Sequence, residues 1–200
     1  MSEAAREADA RIEAWFAGQG WAPFDFQRAA WDAWAAGEHG LIHAATGTGK
    51  TLAAWLGPVR AGLEATPGRH PPPLQVLWIT PLRALAADTA ENLHRPLDEL
   101  GLDWTLELRT GDTGSAARQR QRRRLPTALV TTPESLSLLL SYADTQRQLA
   151  GVGTVVVDEW HELLGSKRGA LLELALARIR ALAPGVRIWG LSATLANLDE

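Results

Sequence analysis

Six short apolar runs, separated by longer stretches with helical spacing, constrain the fold of this chain more than any other feature. The runs are Leu41–Ala45 (LIHAA), Gln75–Thr80 (QVLWIT), Trp104–Thr110 (WTLELRT), Ala128–Thr132 (ALVTT), Thr154–Glu159 (TVVVDE) and Arg187–Ala193 (RIWGLSA). Strand–helix–strand repetition predicts the α/β class, a doubly wound, mainly parallel sheet with helices on both faces. TVVVDE has three consecutive valines, as a strand covered on both sides requires. TLELRT alternates apolar with polar, which places it nearer an edge. After Lys167, Leu172, Leu176 and Ile179 recur at helical steps, and Pro184-Gly185 supplies the stop. The prolines of Thr66–Pro73 (TPGRHPPP) forbid helix or sheet interior, and the stretch is short enough to be a loop within one domain.

Length and composition narrow the functional classes. Two hundred residues make one large domain with an ample core. The net charge of −3 predicts no overall attraction to nucleic acid, so such binding must come from a local patch. The absence of cysteine excludes disulfides and thiolate metal sites, and no run approaches the ~20 apolar residues of a membrane span. Together with a charged, non-signal N-terminus, these features read as a cytoplasmic protein. The nine tryptophans are scattered, which predicts packing roles.

Two stretches carry chemistry. HAATGTGKT (His43–Thr51) sets glycines just before Lys50 and Thr51, where a strand gives way to a helix. Glycine lets backbone N–H groups approach phosphate closely, and a helix N-terminus adds partial positive charge. Thr46, Gly47, Thr48 and Gly49 are read as backbone donors to phosphate, Lys50 as the β/γ-phosphate ligand, and Thr51 as a hydroxyl ligand to Mg²⁺. Ala44 stands where the usual phosphate-loop pattern has its first glycine, a departure that is tolerable if its φ stays negative. In VVVDEW (Val155–Trp160) the acids fall at the carboxyl edge of the sheet, where doubly wound folds bind ligands. Adjacent strand residues face opposite ways, which predicts separate roles: Asp158 for Mg²⁺, Glu159 as the base for an attacking water. An acid that activates water favours hydrolysis over transfer to a small molecule, and no guanine-reading N-K-x-D occurs.

ATGTGKT, DEWH and SAT, in that order, resemble superfamily 2 helicases of the DExH-box type, in their first RecA-like domain. TPLRALA (Thr80–Ala86), RTGDT (Arg109–Thr113) and TTPESL (Thr131–Leu136) resemble that family's strand-contact motifs, and FDFQ (Phe24–Gln27) its adenine-reading segment. VVVDEWHELLGSKRGALLELALARIR is similar to the Lhr (large helicase-related) proteins, particularly the ligase-associated DEXH-box branch. The resemblance implies an ATP-dependent DNA helicase or translocase moving 3′ to 5′, with DNA repair as its setting. It also implies that Gln27 reads adenine and that His161 sits beside the γ-phosphate. His161 would then couple nucleotide state to domain closure through Ser192 or Thr194.

A strand-tracking surface uses hydroxyls, backbone N–H groups and helix N-termini against phosphate. TPLR and TTPE each set threonine before a proline that can open a helix, so Thr80, Arg83, Thr110, Gly111, Thr131 and Thr132 are the expected nucleic-acid contacts. RQRQRRR (Arg118–Arg124) reads as a charged helix, left outside that set. The domain scheme is thus a first RecA-like domain over residues 1–200, opened by a helical extension over about 1–38. The second RecA-like domain and the C-terminal domains belong to a longer parent, and the isolated chain is expected to be nearly inactive. Two alternatives stay open: an RNA motor, or a nucleotide-gated nucleic-acid-binding module with no motor activity.

Overall fold

The computed structural model describes residues 2–65, 68 and 70–193. Six strands form one sheet: β1 (Gly40–His43), β2 (Val76–Ile79), β3 (Leu106–Arg109), β4 (Ala128–Thr131), β5 (Thr154–Val157) and β6 (Arg187–Ser192). Their order is β1-β6-β5-β2-β4-β3 and every neighbouring pair is parallel. All six apolar runs are therefore strands, and the alternating one, β3, lies at an edge. The doubly wound parallel sheet anticipated from the repetition is the one observed.

The helices are α1 (Glu3–Gly18), α2 (Asp25–Ala35), α3 (Lys50–Glu64), α4 (Arg83–Glu99), α5 (Ser115–Arg123), α6 (Pro133–Leu140), α7 (Ala143–Leu149) and α8 (Lys167–Leu182), with a 3₁₀ turn at Trp160–Leu163. Their placement follows from the right-handedness of parallel crossovers. Connections that run toward β3 put α3 and α4 on one face. Connections that return toward β6 put α6, α7 and α8 on the other.

Successive strand residues divide between these faces. Val76, Trp78, Val130 and Val156 pack with α1–α4, while Leu77, Ile79, Leu129, Val155 and Val157 pack with α6–α8. Each of β2, β4 and β5 is buried along its whole length, so their apolar sequences have no solvent face to alternate with. Trp55 and Trp78, both essentially fully buried, meet edge-on with centroids 6.4 Å apart. The packing role expected of the tryptophans holds for these, whereas Trp21 is half exposed.

The N-terminal helices dock on the sheet domain. Ser2 caps α1 by accepting the Ala5 N–H at 3.1 Å, and Ile12, Trp15 and Phe16 enter the first core. Trp15 donates its indole N–H to Glu99 at 2.6 Å, which ties α1 to α4. Among the described residues, no helix is long and apolar enough to cross a membrane.

Candidate nucleotide site and strand-contact surface

The segment between β1 and α3 folds as a tight loop whose shape depends on two glycines. Gly47 (φ 80°) and Gly49 (φ 83°) both occupy the left-handed region, which side chains resist. Ala44 is not among the residues with positive φ, so its departure from the usual glycine carries no backbone cost. Lys50, the first residue of α3, turns back over the loop. Its Nζ donates to the carbonyls of Ala44 at 2.6 Å and Ala45 at 3.1 Å. Thr48 donates to the Ala45 carbonyl at 2.6 Å.

Gln27 lies against this loop and is almost fully buried. Its Nε2 donates to the Gly49 carbonyl at 3.0 Å, and its Oε1 accepts the Phe24 N–H at 2.9 Å, closing the first turn of α2. A Cβ on Gly49 would come within 2.5 Å of that Nε2. In this conformation Gln27 is a bracket for the phosphate loop and does not present its amide to solvent. An adenine contact would require the amide to leave the Gly49 carbonyl, which also accepts the Ala53 N–H at 3.1 Å.

The acids sit across β6. Here one expectation needs correction: β5 ends at Val157, so Asp158 and Glu159 lie in a turn and not on opposite faces of a strand. Asp158 still extends the ladder, donating its N–H to Ile79 at 2.8 Å, and its carboxylate accepts the Glu159 N–H at 3.0 Å. That bond fixes Glu159 at φ 43° and ψ 46°, where it opens the 3₁₀ turn. Glu159 is the only non-glycine residue with positive φ among the described residues. A left-handed residue with a Cβ costs about 1–2 kcal/mol, so this strain sits at the candidate base. The two acids have different surroundings, as separate roles require, but the turn separates them and not strand alternation.

Burial, and then the neighbouring Glu159 carboxylate, push the Asp158 carboxyl above the ordinary range. The Trp78 indole N–H at 3.4 Å, the Glu159 N–H and the charge of Lys50 pull the other way. Lys50 and Asp158, 108 positions apart in sequence, are therefore close enough to act on each other electrostatically. Sequence reasoning missed Trp78, which it treated as core. The residue lies 80 positions from its partner, and nothing local marks a core indole as a donor to a carboxylate.

A polar chain joins the acids to the last strand. Ser192 Oγ lies 3.1 Å from His161 Nδ1, and the same nitrogen lies 3.4 Å from Glu159 Oε2. Ser192 also donates to the Ala193 carbonyl at 3.0 Å, and Ala193 N–H donates to Glu159 at 3.4 Å. On its other side, His161 Nε2 lies 3.6 Å from Glu162 Oε1. Ala44 N–H donates to the Ser192 carbonyl at 3.4 Å, which closes the circuit onto the phosphate loop. Thr194, the other expected coupling residue, lies outside the described residues.

The expected strand contacts line the carboxyl ends of β2, β3 and β4. Thr80, Thr131 and Thr132 are buried. Thr131 donates to the Arg109 carbonyl at 2.7 Å, and Thr132 caps α6 by accepting the Ser135 N–H at 3.4 Å. Pro133 opens α6 as anticipated, but α4 begins at Arg83, so Pro81 lies ahead of the helix and Thr80 does not cap it. These three hydroxyls serve the fold, because an unpaired polar group at a buried strand end is costly. Thr110 is also buried; it accepts the Asp112 N–H at 3.2 Å. Arg83 and Gly111 are exposed, with Arg83 paired to Asp112 at 3.2 Å.

The family model described as DEAD/DEAH box helicase matches residues 24–200. The chain belongs to the DEAD/DEAH box helicase family. It is 41% identical over 199 residues to the Lhr helicase/probable uracil glycosylase of Mycolicibacterium smegmatis, a match covering 93% of this chain and 13% of that protein. It is 40% identical over 195 residues to the Lhr helicase/uracil glycosylase of Escherichia coli, covering 89% of this chain and 12% of that protein. The solved structure of Mycobacterium smegmatis helicase Lhr bound to ssDNA and AMP-PNP superposes with a TM-score of 0.81 at 37% identity, over 97% of this chain and 25% of that one. The chain is thus a helicase-type domain similar to one part of much longer Lhr proteins.

Proposed function

We propose that this chain is the first motor domain of an ATP-dependent DNA helicase or translocase. ATP would bind between the phosphate loop and the two acids. Thr46 to Gly49 would offer backbone N–H groups, and Lys50 would exchange its bonds to Ala44 and Ala45 for phosphate oxygens. Among the described residues, no cluster of three or more His, Cys, Asp or Glu side chains is placed to hold a metal alone. A dication carried in by the triphosphate needs only one or two protein ligands, and Thr51 with Asp158 fits that requirement. A buried carboxyl whose ionisation is disfavoured is also suited to a cation. Mg²⁺ would supply charge neutralisation on the phosphates. Glu159 would orient and deprotonate the attacking water, and the His161–Ser192 bond would transmit nucleotide state to β6.

The observation that carries the reading is the closed circuit from Ala44 through Ser192 and His161 to Glu159. It joins the phosphate loop to Glu159, whose N–H is in turn held by Asp158. DNA is favoured as the track because Lhr proteins are among the relatives at about 40% identity and the Lhr structure holds ssDNA. The RNA-bound DEAD-box helicase Mss116, at 21% identity, speaks only for the fold. Polarity of 3′ to 5′ and DNA repair enter through the family resemblance, and a cytoplasmic setting through the sequence features alone. The second RecA-like half would complete the ATP cleft with an arginine finger, typically worth ~10³–10⁵ in rate.

A fluorescent ATP analogue titrated into the chain with Mg²⁺ tests this. Binding should be weak, lost in Lys50→Ala, and accompanied by very slow turnover that DNA does not stimulate. Unchanged binding by Lys50→Ala, or brisk DNA-stimulated hydrolysis by the 200-residue chain, would refute the corresponding half of the proposal.

A further inference from the structure

The arginine run left outside the track forms a second positive surface. Five arginines within Arg118–Arg124, in a chain of net charge −3, leave −8 for the remainder. Arg118, Arg120, Arg122 and Arg123 lie on α5, Arg124 caps it, and like charges at i,i+4 destabilise a helix. The helix is held from below by a buried polar network. Arg109 on β3 donates to the Arg118 carbonyl and to Gln121 Oε1, both at 3.2 Å, and Gln121 donates to Glu107 at 2.8 Å. Burial, and then the charge of Arg118, hold the Arg109 guanidinium below its ordinary range; Arg122 adds to this and Tyr142 opposes it.

Next to α5, helix α7 completes a groove. Gln148 accepts the Leu125 N–H at 2.6 Å and donates to the Arg122 carbonyl at 3.0 Å, which fixes the two helices against each other. Gln119, Arg122, Arg123, Asp144, Arg147 and Gln148 line it. Asp144 is taken by Arg147 at 2.5 Å, and Glu107 by Arg120 at 3.1 Å. Arg122 is stacked over the Tyr142 ring, 4.1 Å from its centroid, so its fork is oriented. Among the described residues, neither Arg122 nor Arg123 has a carboxylate within ion-pair distance. Arg118 at the start of α5 donates to the Gly111 carbonyl, which ties the helix to the loop beyond β3.

We propose that the α5–α7 groove grips the phosphate backbone of nucleic acid flanking the stretch on the track, through Arg122 and Arg123. A planar guanidinium without a carboxylate partner is the group best matched to phosphate oxygens. Contact to phosphate carries no sequence information, which suits a protein that moves along its substrate. The inference rests on the motor reading above, but it concerns a different surface from the ATP site and from Arg83.

Fluorescence anisotropy decides it, with a labelled tailed duplex and a labelled single strand of equal length, each titrated across a salt series. Arg122→Gln/Arg123→Gln, both exposed, should bind about tenfold more weakly at low salt. The slope of log affinity against log salt should fall by about 1.8 if the flank is duplex, or about 1.4 if it is single-stranded. Circular dichroism and ATP-analogue binding should not change. If the double variant binds both probes like the wild type while Arg83→Gln weakens them, the groove is idle and the motor reading survives. If neither probe binds but a polyglutamate peptide does, in an Arg122-dependent manner, the groove serves an acidic protein segment. The proposal and the DNA track then fall together.

Discussion

The two halves of the sheet's carboxyl edge use their motifs in opposite ways. Beyond β1, β5 and β6, the motif side chains themselves do the polar work: Lys50, Asp158, Glu159, His161 and Ser192 contact one another or the phosphate loop. Beyond β2, β3 and β4, the motif threonines turn inward and close off strand ends, as Thr131 does on Arg109. Residue identity therefore encodes chemistry in one half and loop shape in the other. What remains exposed in the second half is loop backbone at Gly111 and the Arg83 guanidinium.

The sharpest test of this division is Glu159→Gln in the full-length parent. Losing the general base should slow ATP hydrolysis by about 10²–10⁴-fold while ATP binding persists. Hydrolysis at the parental rate would remove the catalytic assignment and leave both halves structural. The counterpart in the other half is Thr131→Val, which keeps shape and deletes the hydroxyl that donates to Arg109 at 2.7 Å. A buried acceptor left unsatisfied costs roughly 1–3 kcal/mol, or about 2–4 °C in Tm for each kcal/mol at this chain length. DNA affinity of the still-folded variant should be unchanged. A lost salt dependence with no loss of Tm would mean that the hydroxyl faces the track after all.

This division also explains what could be read in advance. The fold was legible because three valines in TVVVDE and four consecutive apolar residues in QVLWIT leave β5 and β2 no solvent face. Lys50, Asp158 and Glu159 stand out in the sequence because the chemistry proposed for them admits few substitutes. Gln27 was legible as important, but the amide that a reader of adenine needs serves equally well to hold Gly49. The threonines are less legible, because a hydroxyl that binds phosphate and one that caps a strand look identical in sequence. Only burial separates them. The Trp78–Asp158 contact depends on two strands meeting, and no local pattern announces that.

A smaller effect probes the nucleotide half through stability. Asp158 titrates above its unfolded value, so the native state binds more protons between the two values and stability falls as pH rises through that window. At neutral pH the ionised side chain is a net cost. Asp158→Asn, which keeps an acceptor for the Glu159 N–H, should raise Tm by about 2–4 °C, on the order of 1 kcal/mol, while Mg²⁺-dependent nucleotide binding is lost. The gain should shrink as pH falls through the window. A Tm that drops at neutral pH would show that the carboxylate is stabilised by its neighbours and is not strained for function.

The smallest expected effect lies in the track half. Arg83 is exposed and paired with exposed Asp112, so the pair contributes little to stability. A Cβ on Gly111 would come within 2.9 Å of Arg83 Nη1, so the guanidinium lies directly over the exposed backbone of that loop. A phosphate approaching Gly111 would compete with Asp112 for the same fork. Arg83→Gln should then lower the salt slope for single-stranded DNA by about 0.7 without changing Tm. Asp112→Asn should act in the opposite sense and tighten binding, because it frees the guanidinium. Opposite signs from two members of one ion pair would distinguish a strand contact from a surface salt bridge. If both substitutions weaken binding alike, the pair holds the loop, and this half of the edge presents backbone alone.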